Sequence, residues 1–196
     1  MHTDALAVLD FWFGATDDPG HAQPRAAWFK KDDAFDAQIV QRFGPLIERA
    51  LLGEIDDWLT HPVEPLPALA RVIVLDQFTR NAFRGTARAF AGDGMALQTA
   101  RALVATGADR ALTGVQRQFA YLPFEHAEDL SHQRTSVQLF HQLGQDEPTL
   151  TGLEEWAQKH LDIVARFGRF PHRNAALGRQ STPEEAAFLL TPGSGF

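Results

Sequence analysis

The sequence predicts an all-α protein, and three observations predict it. Ala and Leu together number 51 of 196 residues, against 14 for Val and Ile, so good helix formers dominate and β-branched residues are scarce. Apolar side chains recur at helical spacing, as in Trp28, Phe35, Ile39 and Phe43. No Asn-Gly or Asp-Gly pair joins two alternating segments; the one Asp-Gly, at 93–94, lies between helical patterns.

The elements follow in order. Thr3 is placed to cap a first helix through Leu6, Leu9 and Phe13, ended by Gly14. Residues 15–24 read as a loop. A second helical stretch covers about 25–52, and Gly44-Pro45 should bend or split it. A short segment at 54–60 carries Trp58, and the prolines between His61 and Pro67 mark a connector. Residues 67–83 form the most apolar helix, hydrophobic on every side at 72–75 and so expected at the centre. Asp93 caps a helix to about 106, and another covers about 114–126 with Pro123 inside it. A further helix reaches about 143, and Gly144 to Pro148 is a turn. Thr151 to Phe167 is amphipathic and closes at Gly168. A short helix follows Pro171. The last starts at Thr182-Pro183-Glu184-Glu185, a Thr cap with Pro at the first position and Glu at the third. Eight to ten short helices on short turns make a helical array or irregular bundle, read as one domain over 1–196.

Composition removes several function classes. With 44% hydrophobic and 22% charged residues the chain is not disordered throughout. Its longest strongly apolar run, Val72 to Leu75, is far short of a membrane span. The opening stretch to Trp12 carries Asp4 and Asp10 and no Lys or Arg, unlike a secretory or transit segment. Cys is absent, which removes disulfides, thiol nucleophiles and cysteine zinc sites and fits a reducing, cytoplasmic location. A net charge of -7 argues against nucleic acid or an anionic membrane as partner. That charge is uneven: residues 1–65 hold 12 acids and 5 bases, and the remainder 13 of each. Arg outnumbers Lys fifteen to three. Trp12, Phe13, Trp28 and Trp58 are expected in the core rather than on a dimer face. The oligomeric state is open.

Polar residues break the apolar stripes in three places. Leu69 and Ile73 define an inward stripe whose next positions are Asp76 and Gln77, then Arg80 and Asn81, then Arg84. Asp76 and Arg80 are spaced to pair directly. The second patch runs from Tyr121 to His132 around Pro123, and places Glu125, Asp129 and His132 on one helical face beside His126. The third is His160, in the middle of the Leu153, Trp156, Val164 and Phe167 stripe, followed by Arg169, His172, Arg173 and Asn174 among Phe and Pro. Each has a bland reading as a core histidine, a structural ion pair or a solvated face. Burying three such patches in one small protein is costly unless they meet in one polar pocket.

Familiar chemistries are poorly served. None of the four Ser sits in a Gly-x-Ser-x-Gly elbow. There is no phosphate-binding or dinucleotide loop and no His-Glu-x-x-His. No cofactor and no metal site are therefore expected.

Several motifs carry a family resemblance: Val8 to Gly14, Leu75 to Asn81, Tyr121 to His126, Phe167 to Asn174 and Ser181 to Glu185. The chain resembles the bacterial family catalogued as domain of unknown function 924, over nearly its whole length. The resemblance implies a tetratricopeptide-like right-handed α-α superhelix and no activity.

Three functions are weighed. The first is a helical domain that binds an anionic small molecule or acidic peptide through Asp76, Arg80, Asn81, Arg84, Arg169, His172, Arg173 and Asn174. In the second, an enzyme, Glu125 or His126 serves as base, with His160 as a further candidate, and Arg80 or Arg173 stabilises negative charge. The third is a structural module acting through surface contacts, whose polar groups tie helices together.

Overall fold

The computed structural model describes residues 2–195, and among these all regular structure is helical. The long elements are α1 (Thr3–Phe13), α2 (Asp33–Leu51), α3 (Pro65–Val72), α4 (Thr79–Ala82), α5 (Asp93–Thr106), α6 (Gly114–Glu125), α7 (Leu130–Asp146), α8 (Leu153–Phe167) and α9 (Pro183–Leu189), with short 3₁₀ turns in the connections. They form an irregular helical array. No described helix is long and apolar enough to cross a membrane.

Contacts divide the chain into two compact units. The first runs to Arg84 and adds Arg88–Pro123; the second is Gly85–Ala87 with the residues from Phe124 onward.

The first unit is built on aromatic packing. Trp12 and Phe13 of α1 are fully buried. Trp28 stands edge-on to Phe119 of α6 at 4.8 Å, and Phe78 packs on Phe43 at 4.9 Å. Such pairs add to the burial of apolar area itself. Trp28 and Trp58 are likewise buried, so all four expected core aromatics lie inside.

Three local expectations shift. The cap of α1 is His2, one residue before Thr3. Helix α2 is not split, and Pro45 lies inside it. Phe43, Leu46, Ile47 and Ala50 bury the apolar face on both sides of the proline, and this packing holds the helix through the lost hydrogen bond. Between α3 and α4 the central helix widens into a π-helical segment, Ile73–Phe78. The backbone of Gly92 lies against it: a Cβ there would stand 2.1 Å from the Leu75 carbonyl oxygen. Glycine lets the two backbones meet.

In the second unit, α7 and α8 form an antiparallel hairpin, and Ile163, Val164 and Phe170 pack with Phe167 and Phe188. Helix α8 closes on Gly168 at φ 70°, as expected. Helix α9 starts with the expected capping box: Thr182 accepts from the Glu185 N–H, and the Glu185 carboxylate accepts from the Thr182 N–H.

Candidate functional site

The first polar patch is organised within the first unit. Asp76 is fully buried on the π-helical segment, and its carboxylate lies 3.2 Å from the Arg80 guanidinium. Gln77 donates to its other oxygen. Arg80 also forks onto Asp93 at 2.8 and 3.1 Å. Burial opposes charge on Arg80, yet Asp76 and Asp93 together raise its pKa above the ordinary value. Asn81 and Arg84 both reach Asp36 of α2, at 2.7 Å for the amide and 3.0 Å for each guanidinium bond.

The second and third patches come together within the second unit. Helix α6 ends at Glu125, and the chain turns through His126 to Glu128 before Asp129 caps α7 by accepting from Ser131 and His132. Glu125, Asp129 and His132 therefore do not share one helical face. The turn leaves Glu125 buried beside His160 of α8: the carboxylate is 3.2 Å from Nδ1. The same nitrogen lies 2.8 Å from the Trp156 carbonyl oxygen. A carbonyl only accepts, so Nδ1 carries the proton and Nε2 carries the lone pair in the neutral ring.

Around this pair stand further basic groups. The His126 ring is 6.4 Å from that of His160. Phe170 meets His160 edge-on at 5.5 Å, His172 lies 5.6 Å from Phe170, and the Arg173 guanidinium covers the Phe170 ring at 4.5 Å. Burial drives the His160 pKa down to about 3. The Trp156 carbonyl opposes this, and the nearby basic groups His126, Arg173 and His172 disfavour a further positive charge on the ring.

The remaining expected donors bind other groups of the second unit. Arg169 forks onto Glu185 at 2.6 and 2.8 Å and reaches the Gln180 carbonyl. Asn174 donates to Ser181 and accepts from Arg179.

Tyr121 and Glu128 belong to the second patch, whereas Arg71, Gln133 and Ser136 lie outside the three patches. Glu128 holds Arg179 at 2.5 and 2.8 Å and accepts from the Phe170 N–H. Tyr121 donates to Asp109 and accepts from Arg117 inside the first unit. Arg71, only 2% exposed, reaches Asp56, Thr99 and the Met95 carbonyl. Its signal was a single cation at the edge of the most apolar helix. Gln133 and Ser136 are fully buried on α7, spaced with Phe140 and Leu143 along its apolar stripe. Among the described residues no three His, Asp or Glu side chains gather to hold a metal ion.

Comparison with known proteins agrees with the motif pattern. The family described as "Bacterial protein of unknown function (DUF924)" matches residues 8–193. A solved structure of a protein of unknown function from Agrobacterium tumefaciens is similar, with 41% identity and a TM-score of 0.80, over 95% of this chain and 96% of the other. No curated protein matches.

Proposed function

We propose, for a chain that belongs to the DUF924 family of bacterial proteins of unknown function, that the second unit binds a small anionic molecule beside Arg173, His126, His160 and His172. The observation that supports this is the meeting of Glu125 and His160 at 3.2 Å, with the His126 ring 6.4 Å from His160 and the Arg173 guanidinium over the neighbouring Phe170 ring. Arg173 has a planar fork of five donors, the geometry that suits carboxylate and phosphate. Its aromatic neighbour Phe170 keeps that fork in one orientation. Arg80, Asn81, Arg84, Arg169 and Asn174 bind Asp93, Asp36, Glu185 and Ser181, contacts that hold helices and loops together.

A thermal-shift screen tests the binding reading. The panel holds carboxylates, phosphates, nucleotides and acidic peptides, with Arg173→Ala and Arg80→Ala alongside. A ligand at about 100 times its Kd adds ~2.7 kcal/mol, an easily read shift. The expected result is a shift with one anion class, lost in Arg173→Ala and kept in Arg80→Ala. No shift with any class, or a shift kept in Arg173→Ala, overturns the reading.

A further inference from the structure

We infer that α9 is an electrostatic latch on the second unit. It opens and closes as one piece, the Glu185 carboxylate holds it shut, and opening bares the Arg169 guanidinium and the Phe167 ring. The inference does not depend on the anion reading above.

The starting point is what α9 buries. Of its side chains only Glu185 is buried, at 2% exposure. Ala186 and Ala187 are exposed, Phe188 and Leu189 are half-buried, and Leu190, just past the helix, is 88% exposed. Phe188 packs at the edge of the Ile163, Val164 and Phe170 cluster, with its ring 5.0 Å from that of Phe167. A surface helix ordinarily docks by an apolar stripe. Helix α9 docks chiefly by a carboxylate.

That carboxylate joins two tasks. It accepts from Arg169 Nε at 2.6 Å and Nη2 at 2.8 Å, and from the Asn174 amide at 3.4 Å. These bonds dock the helix, and the charge-assisted fork is the strong part. The same carboxylate accepts from the Thr182 N–H at 2.7 Å, which closes the capping box and starts the helix. A helix as short as Pro183–Leu189 does not persist in water by itself, because its nucleus is costly. Release from Arg169 therefore undocks and melts α9 in one step.

The moving part has a defined start. The Gln180 carbonyl accepts from Arg169 at 2.9 Å, and the Ser181 hydroxyl accepts from Asn174 at 3.0 Å. The connector is thus tied down as far as Ser181, and the latch begins at Thr182. Its outer half is the Arg166–Glu184 pair at 2.9 Å, whose side chains are 53% and 62% exposed. The α7–α8 hairpin is held differently, by buried Leu143, Ala157, Ile163 and Val164. A segment with few buried apolar contacts opens at lower free energy than such a core.

Native-state hydrogen exchange of the full chain, read by NMR at pH 7, tests this. The amides from Ala186 to Leu190 are expected to share one opening and to exchange at least about tenfold faster than those from Ala157 to Val164. Between about 0.05 and about 1 M NaCl the α9 rates are expected to rise severalfold while the α8 rates do not, because salt screens ion pairs. Glu185→Gln keeps a capping side chain and removes the charge. It is expected to speed α9 exchange about tenfold or more, to weaken its salt dependence and to leave α8 unchanged. Glu184→Gln is expected to do less, since it breaks only the exposed pair.

Amides of α9 that exchange at the α8 rate overturn the inference, because α9 then opens only with the rest of the unit. Rates in α9 that ignore salt overturn it too, as do wild-type α9 rates in Glu185→Gln. A larger effect from Glu184→Gln puts the hold on the other carboxylate and has the same consequence. A Glu185→Gln chain that no longer folds also overturns it, since releasing a latch leaves the α7–α8 hairpin standing.

Discussion

At the scale of single residues, His160 stores a pH dependence. Its ordinary pKa of 6.5 is lowered to about 3 in the folded chain, first by burial. Below pH 6.5 the unfolded chain takes up this proton and the folded chain does not, so stability falls as pH drops from about 6.5 towards 3. The slope is at most about 1.4 kcal/mol per pH unit for one such group. Glu128 and Glu185 have lowered pKa values. Glu128 is pulled down by Arg179, against its burial, and Glu185 by Arg169 to about 2. Their stabilisation is complete above the ordinary value of 4.5 and is lost only below it. Urea denaturation between pH 5 and 6.5 therefore isolates the histidine contribution, and His160→Asn is expected to flatten the curve there. An unchanged slope would mean that His160 titrates normally.

Arg80 makes the second prediction at this scale. It is the cation beside a fully buried Asp76. Arg80→Ala should cost about 3 kcal/mol in the same assay, since it removes the charge partner of an acid that water cannot reach. Arg84→Ala should cost under about 1 kcal/mol, because its side chain is 44% exposed. Equal losses would contradict the distinction.

At the scale of elements, Gly92 holds the central helix in register with the start of α5. Gly92→Ala puts a Cβ into the Leu75 carbonyl and should destabilise by about 1–3 kcal/mol, as overpacking does. Gly94, two residues on in α5, has nothing within 4 Å of its added Cβ. Gly94→Ala should stabilise by about 0.5 kcal/mol through helix propensity. Thermal melts of the pair check both signs. The π-helical segment itself was not legible in the sequence. A run that is apolar on every side shows no period that one extra residue per turn could disturb. Its clearest signal is Gly92, and the need for glycine there exists only once the two backbones have met. Pro45 misled for a similar reason: local chemistry argues for a break, and burial of Phe43 and Ile47 outweighs it.

At the scale of the whole molecule, the all-α class and most helix ends were legible because they rest on local signals such as Gly168 and the Thr182 box. The candidate site was legible in part. His160 stood out as a polar residue on an apolar stripe, and Glu125 as an acid at a proline-marked helix end. Their meeting depends on the turn at 126–129, where Asp129 caps a new helix instead of extending the old one. Gln133 and Ser136 carry no sequence signal of their burial, because burial from a neighbouring helix is not written in their own spacing. The -7 charge of the chain lies in residues 1–65, so any anion site depends on local groups rather than on the overall field. The most direct test is a histidine side-chain NMR titration of the full chain at pH 7, with L-malate and then inorganic phosphate. The account predicts that His160 starts as the neutral Nδ1–H tautomer, and that His126, His160 and His172 shift together along one saturation curve. A protonated His160 at the outset, or three unmoved rings at saturating anion, would contradict it.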